Sequence, residues 1–175
     1  MEIKGLSVKE LAAYLSDYLK QNDIEVVLTG GTCVSIYTKN KYVSLDLDFV
    51  LTNSIDIKKI KEILGKIGFK EKGRHFKHND TEFFIEFISP PLSVGEEPVK
   101  GIFNMKVKKH MLKLLSPTDC VKDRLAAFYH WNDRQALEQA LMVCKEQDID
   151  LRELKRWSEN EGMVKKFLDF KKELK

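Results

Sequence analysis

Apolar positions fall at helical spacing near the start of the chain. Val8, Leu11, Ala12, Leu15 and Leu19 recur every three or four residues, the pattern of an amphipathic helix. Ser7 and Glu10 stand at capping-box spacing and fix its start, and Asn22-Asp23 stops it. Glu25–Thr29 (EVVLT) is a short β-branched run and predicts a strand. Gly30-Gly31 then turns the chain, and Thr32–Thr38 predicts a short helix. Val43–Leu51 (VSLDLDFVL) alternates, as a strand does. Asp56–Ile67 returns to helical periodicity and ends before Gly68. Phe69–Lys77 and Glu82–Ile88 read as paired strands joined by residues 78–81. Ser89–Pro98 holds three of the four prolines and reads as a loop.

A mixed, strand-like segment follows over Ile102–Leu115, and then the texture changes. Ser116-Pro117 is an N-cap followed by a first-turn proline. Helical patterns cover 117–130, 133–147, 150–160 and 162–174. Asn132 with Gln135, and Asp150 with Glu153, repeat the capping-box spacing. The expected fold is α+β: a mixed sheet with flanking helices over 1–115, and a helical extension over 116–175. No internal repeat or low-complexity tract interrupts it.

The length of 175 residues suits one domain with such an extension. No apolar run approaches the ~18 residues of a membrane span. Charges break every short apolar run near the N-terminus, so a secretory leader is not expected. A cytoplasmic protein is the resulting expectation. Thirty basic and 27 acidic residues leave a net charge of +3, too balanced for bulk coating of nucleic acid. The distribution is uneven, however. Lys58–Lys77 contains eight basic and two acidic residues, and Val99–Thr118 five lysines and no acid. Such stretches attract polyphosphates or RNA, or simply face solvent. The cysteines, Cys33, Cys120 and Cys144, are scattered, and no CxxC is present, which leaves no disulfide framework or zinc ribbon.

The chemistry concentrates in the second strand. Asp46 and Asp48 are two apart, so both face one side while Leu45, Leu47 and Phe49 face the other. Adjacent carboxylates repel unless a cation neutralises them, and Mg²⁺ suits one or two carboxylates plus substrate phosphates. Glu86 is an acid inside the apolar run Phe83–Ile88 and a candidate third carboxylate, with Glu82 its competitor. Thr29-Gly30-Gly31-Thr32 lies between strand and helix, where backbone amides can approach a phosphate. No GK[ST] follows, so it is not a P-loop. His75 and His78 should face opposite sides of a strand. Asp123-Arg124 reads as a surface pair. Tyr129-His130-Trp131 reads mainly as packing, and the lysine pairs near the C-terminus as one face of a docked amphipathic helix.

Gly30-Gly31 followed by Ser44-x-Asp46-x-Asp48 resembles the nucleotidyltransferase superfamily, which includes DNA polymerase β. Within it the likeness is to the AbiEii-type, minimal nucleotidyltransferase toxin branch, over about residues 5–145. The helix Ser116–His130 is similar to that branch's later lysine-containing helix, with Lys122 in place. Asn132-Asp133-Arg134 resembles its Arg-Asp pair, with Asn132 at the arginine position. The resemblance implies the following roles. Gly30, Gly31 and Thr32 hold a triphosphate, and Ser44, on the metal-binding strand, joins them in binding the nucleotide. Asp46, Asp48 and Glu86 bind Mg²⁺ or Mn²⁺, Glu86 also serving as metal ligand or general base. Lys122 contacts phosphate or anchors the helical half, and Asp133 orients it. The implied activity is transfer of a nucleoside monophosphate from an NTP such as ATP to a hydroxyl or phosphate on RNA, such as a tRNA end, or on protein. The branch implies a toxin-like role with an antitoxin partner. No DNA specificity and no membrane partner is expected. The same features also fit a non-catalytic nucleotide- or RNA-binding module, or an interaction protein that uses its helical half.

Overall fold

A computed structural model describes residues 3–174. The helices are α1 (Val8–Lys20), α2 (Gly30–Tyr37), α3 (Ile57–Gly65), α4 (Pro117–Trp131), α5 (Arg134–Glu146), α6 (Leu151–Asn160) and α7 (Val164–Glu173). The strands are β1 (Val26–Thr29), β2 (Asp46–Leu51), β3 (Lys70–Lys72), β4 (His75–Lys77), β5 (Phe84–Ile88), β6 (Ser93–Val94), β7 (Glu97–Pro98), β8 (Ile102–Val107) and β9 (His110–Leu115). Seven strands form one mixed sheet in the order β3-β4-β5-β2-β1-β9-β8, and β6-β7 form a separate hairpin. All strands precede Ser116 and α4–α7 follow it. The expected α+β class with a mixed sheet is the one observed.

The alternation in β2 sorts the sheet into two faces. Leu47 and Phe49, together with Ile85 of β5 and Phe76 of β4, are buried. Phe87 stacks on Phe49 and meets Phe76 edge-on. This apolar face belongs to the main core, which also takes the inward stripes of α1 and α3. Asp46, Asp48, Phe84 and Glu86 fall on the opposite face.

Several local expectations are corrected. Gly30-Gly31 do not precede the helix but are its first two residues. Gly30 makes the corner itself at φ +67°, a conformation that costs a side-chain-bearing residue about 1–2 kcal/mol. The 69–77 run is two strands, because Gly73-Arg74 reverse the chain and β3 pairs antiparallel with β4. The 102–115 run is likewise a hairpin, reversed at Lys108 with φ +54°. The proline-rich loop contains the β6-β7 hairpin. Asn132 does not cap α5. It is the left-handed C-cap of α4, and Asp133 caps α5 by accepting from the Ala136 amide at 3.0 Å. Ser7 and Asp150 cap α1 and α6 as their spacing predicts.

The helical region packs on aromatic side chains. Trp157 is fully buried, stacks on Tyr129 with centroids 5.5 Å apart, and donates its indole N–H to the Val94 carbonyl. Phe167 and Phe170 bury the apolar face of α7, while Lys166 donates to the Phe128 and Tyr129 carbonyls at the end of α4. Tyr129 packs as expected, but Trp131 is 82% exposed. Among the described residues no helix is long and apolar enough to cross a membrane.

Candidate functional site

Strand register aligns the polar face. β1 and β2 are antiparallel with Thr29 opposite Asp48, and β2 and β5 are parallel with Asp48 opposite Glu86. β4 sets His75 opposite Glu86. Thr29, Asp48, Glu86 and His75 therefore form one row across four strands. Asp46, Phe84 and Lys77 form the next. The contest between Glu82 and Glu86 is decided by register: Glu82 lies before β5 and is exposed, whereas Glu86 is Asp48's neighbour.

The start of α2 closes on this row. A Cβ at Gly30 would stand 2.2 Å from Asp48 Oδ2, so only glycine allows the approach. At Gly31 a Cβ would meet Ser44 Oγ at 3.0 Å. Thr29, the N-cap, gives no side-chain cap to α2; its hydroxyl donates instead to the Asp48 carbonyl at 3.2 Å. The first-turn amides, which have no intrahelical acceptors, are thereby left without a side-chain partner. Thr32 Oγ1 donates to the Asp46 carbonyl. The Asp46 amide donates to Ser44 Oγ at 3.4 Å, and the Ser44 amide to Ser35 Oγ at 2.9 Å. Thus Gly30, Gly31, Thr32, Ser44, Asp46, Asp48 and Glu86 are brought together, and the serines and threonines fix the backbone that carries the acids.

Electrostatics single out Asp48. Burial, then the negative charges of Asp46 and Glu86, push its carboxyl up from 3.8 to about 6, with Arg124 pulling the other way. Sequence reasoning placed Arg124 with Asp123 at the surface. The Asp123 pairing holds, but the guanidinium is largely enclosed and also donates to Gln139 Oε1 at 3.3 Å. The available signal was its position: Arg124 stands midway between Cys120 and Phe128, both on the buried side of α4.

Glu86 has partners of its own, His75 Nε2 at 3.3 Å and Arg74 Nε at 3.5 Å. Among the described residues no three His, Cys, Asp or Glu side chains form a ready metal-binding group. The donor set that fits a dication is the pair Asp46 and Asp48, because a bound cation would offset the burial, and then the like charge, that raise Asp48.

Lys122 and Asp133 stand apart from this row. Lys122 is 7% exposed, and its ammonium reaches Glu153 at 2.7 Å and Asp119 at 3.2 Å. It lines a cavity of about 270 Å³ with Glu97, Lys100, Ser116 and Trp157. Arg156 clasps Glu97 and Glu153 nearby, holding both carboxyls down at about 2. His78 packs on Phe69 and does not join His75. Cys33 is buried beneath the α2 turn, donating to the Leu28 carbonyl, with burial pushing its thiol well up.

No protein-family model and no curated protein matches this sequence. Solved structures do. An antigenic nucleotidyltransferase-like protein from Paracoccidioides brasiliensis is similar with a TM-score of 0.59 at 15% identity, over 80% of this chain and 78% of that one. ANT(2")-Ia, crystallised with adenylyl-2"-tobramycin, is similar with a TM-score of 0.51 at 8% identity, over 94% of this chain and 99% of that one. The fold is thus one found among nucleotidyltransferase-like proteins.

Proposed function

We propose that this protein is an enzyme that transfers a nucleoside monophosphate from an NTP, with ATP the first candidate, to a hydroxyl acceptor, with Mg²⁺ or Mn²⁺ carried by Asp46 and Asp48. The observation that carries this reading is the approach of Gly30, at the open N-terminus of α2, to the raised carboxyl of Asp48. A phosphate held there meets backbone amides on one side and the acidic strand on the other. Gly30, Gly31 and Thr32 supply the amides. Ser44 and Thr32 hold the backbone of β2 in register with that turn. A bound dication would supply charge neutralisation between carboxylates and phosphates.

In the transfer, the acceptor oxygen forms a bond to the α-phosphorus. The bond from that phosphorus to the α–β bridging oxygen breaks, and pyrophosphate leaves with the electron pair. The acceptor's proton passes to Glu86, once Arg74 and His75 give way, or to water. Positioning and electrostatics do most of the work. Lys122 and Asp133 act as anchors of the helical half, through α4–α6 pairing and the α5 cap.

Calorimetry with each NTP, with and without Mg²⁺, tests the site. Mg²⁺-dependent binding that is lost in Asp46→Asn/Asp48→Asn supports it; no binding to any NTP by the wild type refutes it. A second reading, a nucleotide binder without turnover, is favoured by the pairing of Glu86 with His75 and Arg74. Pyrophosphate release separates the two readings. The motif likeness supports the AbiEii-type branch as the finer assignment, with a cytoplasmic toxin role and an antitoxin as its protein partner.

A further inference from the structure

The sheet rows do not end at the acids. Beyond Glu86, the first row continues through His75 to Lys72; beyond Phe84, the second continues through Lys77 to Lys70. Paired residues share a face, so Lys70, Lys72 and Lys77 stand on the same face as Asp46 and Asp48. All three are exposed, as is Arg74 at the β3–β4 turn. The acid of this hairpin, Glu71, points the other way and pairs with Lys61 of α3 at 2.8 Å. The platform is therefore uniformly basic. Strand spacing places β4 about 10 Å and β3 about 15 Å from β2.

An aromatic ring interrupts the cations. Phe84 lies between Asp46 and Lys77 in its row, on the face away from the core. His75 meets it edge-on with centroids 4.7 Å apart, and the Lys77 ammonium lies 5.1 Å from its centroid. Cations spaced along a strand around an aromatic are what a single-stranded polynucleotide uses: phosphates take the charges and an unpaired base takes the ring. A duplex offers no free base face, and an acidic peptide has no base to stack.

We infer that the β3–β4 hairpin and Phe84 form the docking platform for a single-stranded polynucleotide, whose terminal hydroxyl is thereby delivered to the Asp46/Asp48 site as the acceptor. This inference rests on the transfer reading for the word acceptor, but not for the platform. Phosphates arriving at Arg74 compete with its exposed contact to Glu86. Such pairs are weak in water, so binding of the strand removes one of the two contacts that hold Glu86, leaving His75 Nε2 at 3.3 Å as the other.

The test is fluorescence anisotropy with a labelled ten-nucleotide RNA and its DNA counterpart over a range of salt. The variants are Lys70→Gln/Lys72→Gln/Lys77→Gln and, as a control of equal charge change at the other edge, Lys106→Gln/Lys108→Gln/Lys109→Gln. Glutamine keeps the edge polar and circular dichroism verifies folding. Three lost phosphate contacts should flatten the slope of log K against log salt by about 2 for a single strand. Phe84→Ala should weaken binding about tenfold. The control should bind as the wild type does. RNA bound and DNA not, or the reverse, identifies the source of the strand. Equal losses in both triple variants, unchanged binding in the hairpin variant, or equally strong binding of poly-glutamate would overturn the platform. With unchanged binding in the hairpin variant, the edge lysines would serve only to keep β3 from pairing with other chains; with poly-glutamate bound as strongly, they would form a general anion surface with no use for a base. NTP binding is measured in parallel: if it persists while polynucleotide binding fails, the transfer site stands and the platform falls. If NTP binding fails while the strand binds, the reverse holds.

Discussion

Replacing Asp48 with Asn should make the protein more stable while abolishing metal-dependent nucleotide binding. In the folded chain the Asp48 carboxyl keeps its proton up to about 6, against an ordinary value of 3.8. Below 3.8 both folded and unfolded chains carry the proton, and the site costs nothing on this account. Between the two values the unfolded chain ionises first, and stability falls as pH rises. Above about 6 the full penalty is in place. Each pH unit of separation is worth about 1.36 kcal/mol, which gives about 3 kcal/mol as an upper figure, and about 2 kcal/mol once solvent and salt screen the repulsion. Asparagine keeps the shape and removes the charge. Urea unfolding without divalent cations should therefore show Asp48→Asn about 2 kcal/mol more stable than the wild type at pH 8, with no gain at pH 3.5. In a chain of this size that is a rise in Tm of about 4–8 °C. Mg²⁺ with NTP should then stabilise the wild type alone. A variant no more stable than the wild type at pH 8, or equally stabilised at both pH values, would refute the claim that Asp48 is held ionised against burial and like charge.

Gly30→Ala adds a Cβ 2.2 Å from Asp48 Oδ2 at a positive φ and should cost about 2–4 kcal/mol. Chemical unfolding and nucleotide calorimetry should fall together, and full affinity in this variant would contradict the phosphate turn. Glu86→Gln should leave NTP affinity intact and lower the rate of pyrophosphate release, read in a coupled assay. Tyr37→Phe removes the hydroxyl that donates to the Leu115 carbonyl and should cost about 1–2 kcal/mol with no change in nucleotide binding. Trp157→Ala should cost about 3–5 kcal/mol in urea titration, since the indole is fully buried.

Alternation and capping carried much of the architecture in the sequence. Period two in 46–51 identified the face of Asp46 and Asp48, because side-chain direction in a strand is a local property; Val43–Leu45, read as part of the same strand, lie before β2, and Leu45 is exposed instead of facing the core. Which strand lies beside β2 is not local, so Glu82 and Glu86 could not be separated without register. The same holds for His75, which reaches Glu86 only because β4 pairs with β5. Gly73-Arg74 and Lys108 hid two reversals inside runs that read as continuous strands. Arg124 was misread because a charged residue on a helix is ordinarily solvated. Its neighbourhood depends on how α4 lies over the sheet, which no spacing within the helix records.

The place of β1 in the sheet has a consequence for biosynthesis. Its two neighbours arrive at very different times: β2 follows almost at once, while Leu28 must wait for Leu114 on β9. Pairing across such a sequence distance is slow, because loop closure precedes any gain from contact. A nascent chain halted before β9 has both aspartates and the glycine turn already synthesised, yet lacks the parallel strand that buries the far side of β1. Nucleotide capture should therefore switch on late in translation, as a property of the whole sheet rather than of the segment that carries its motif.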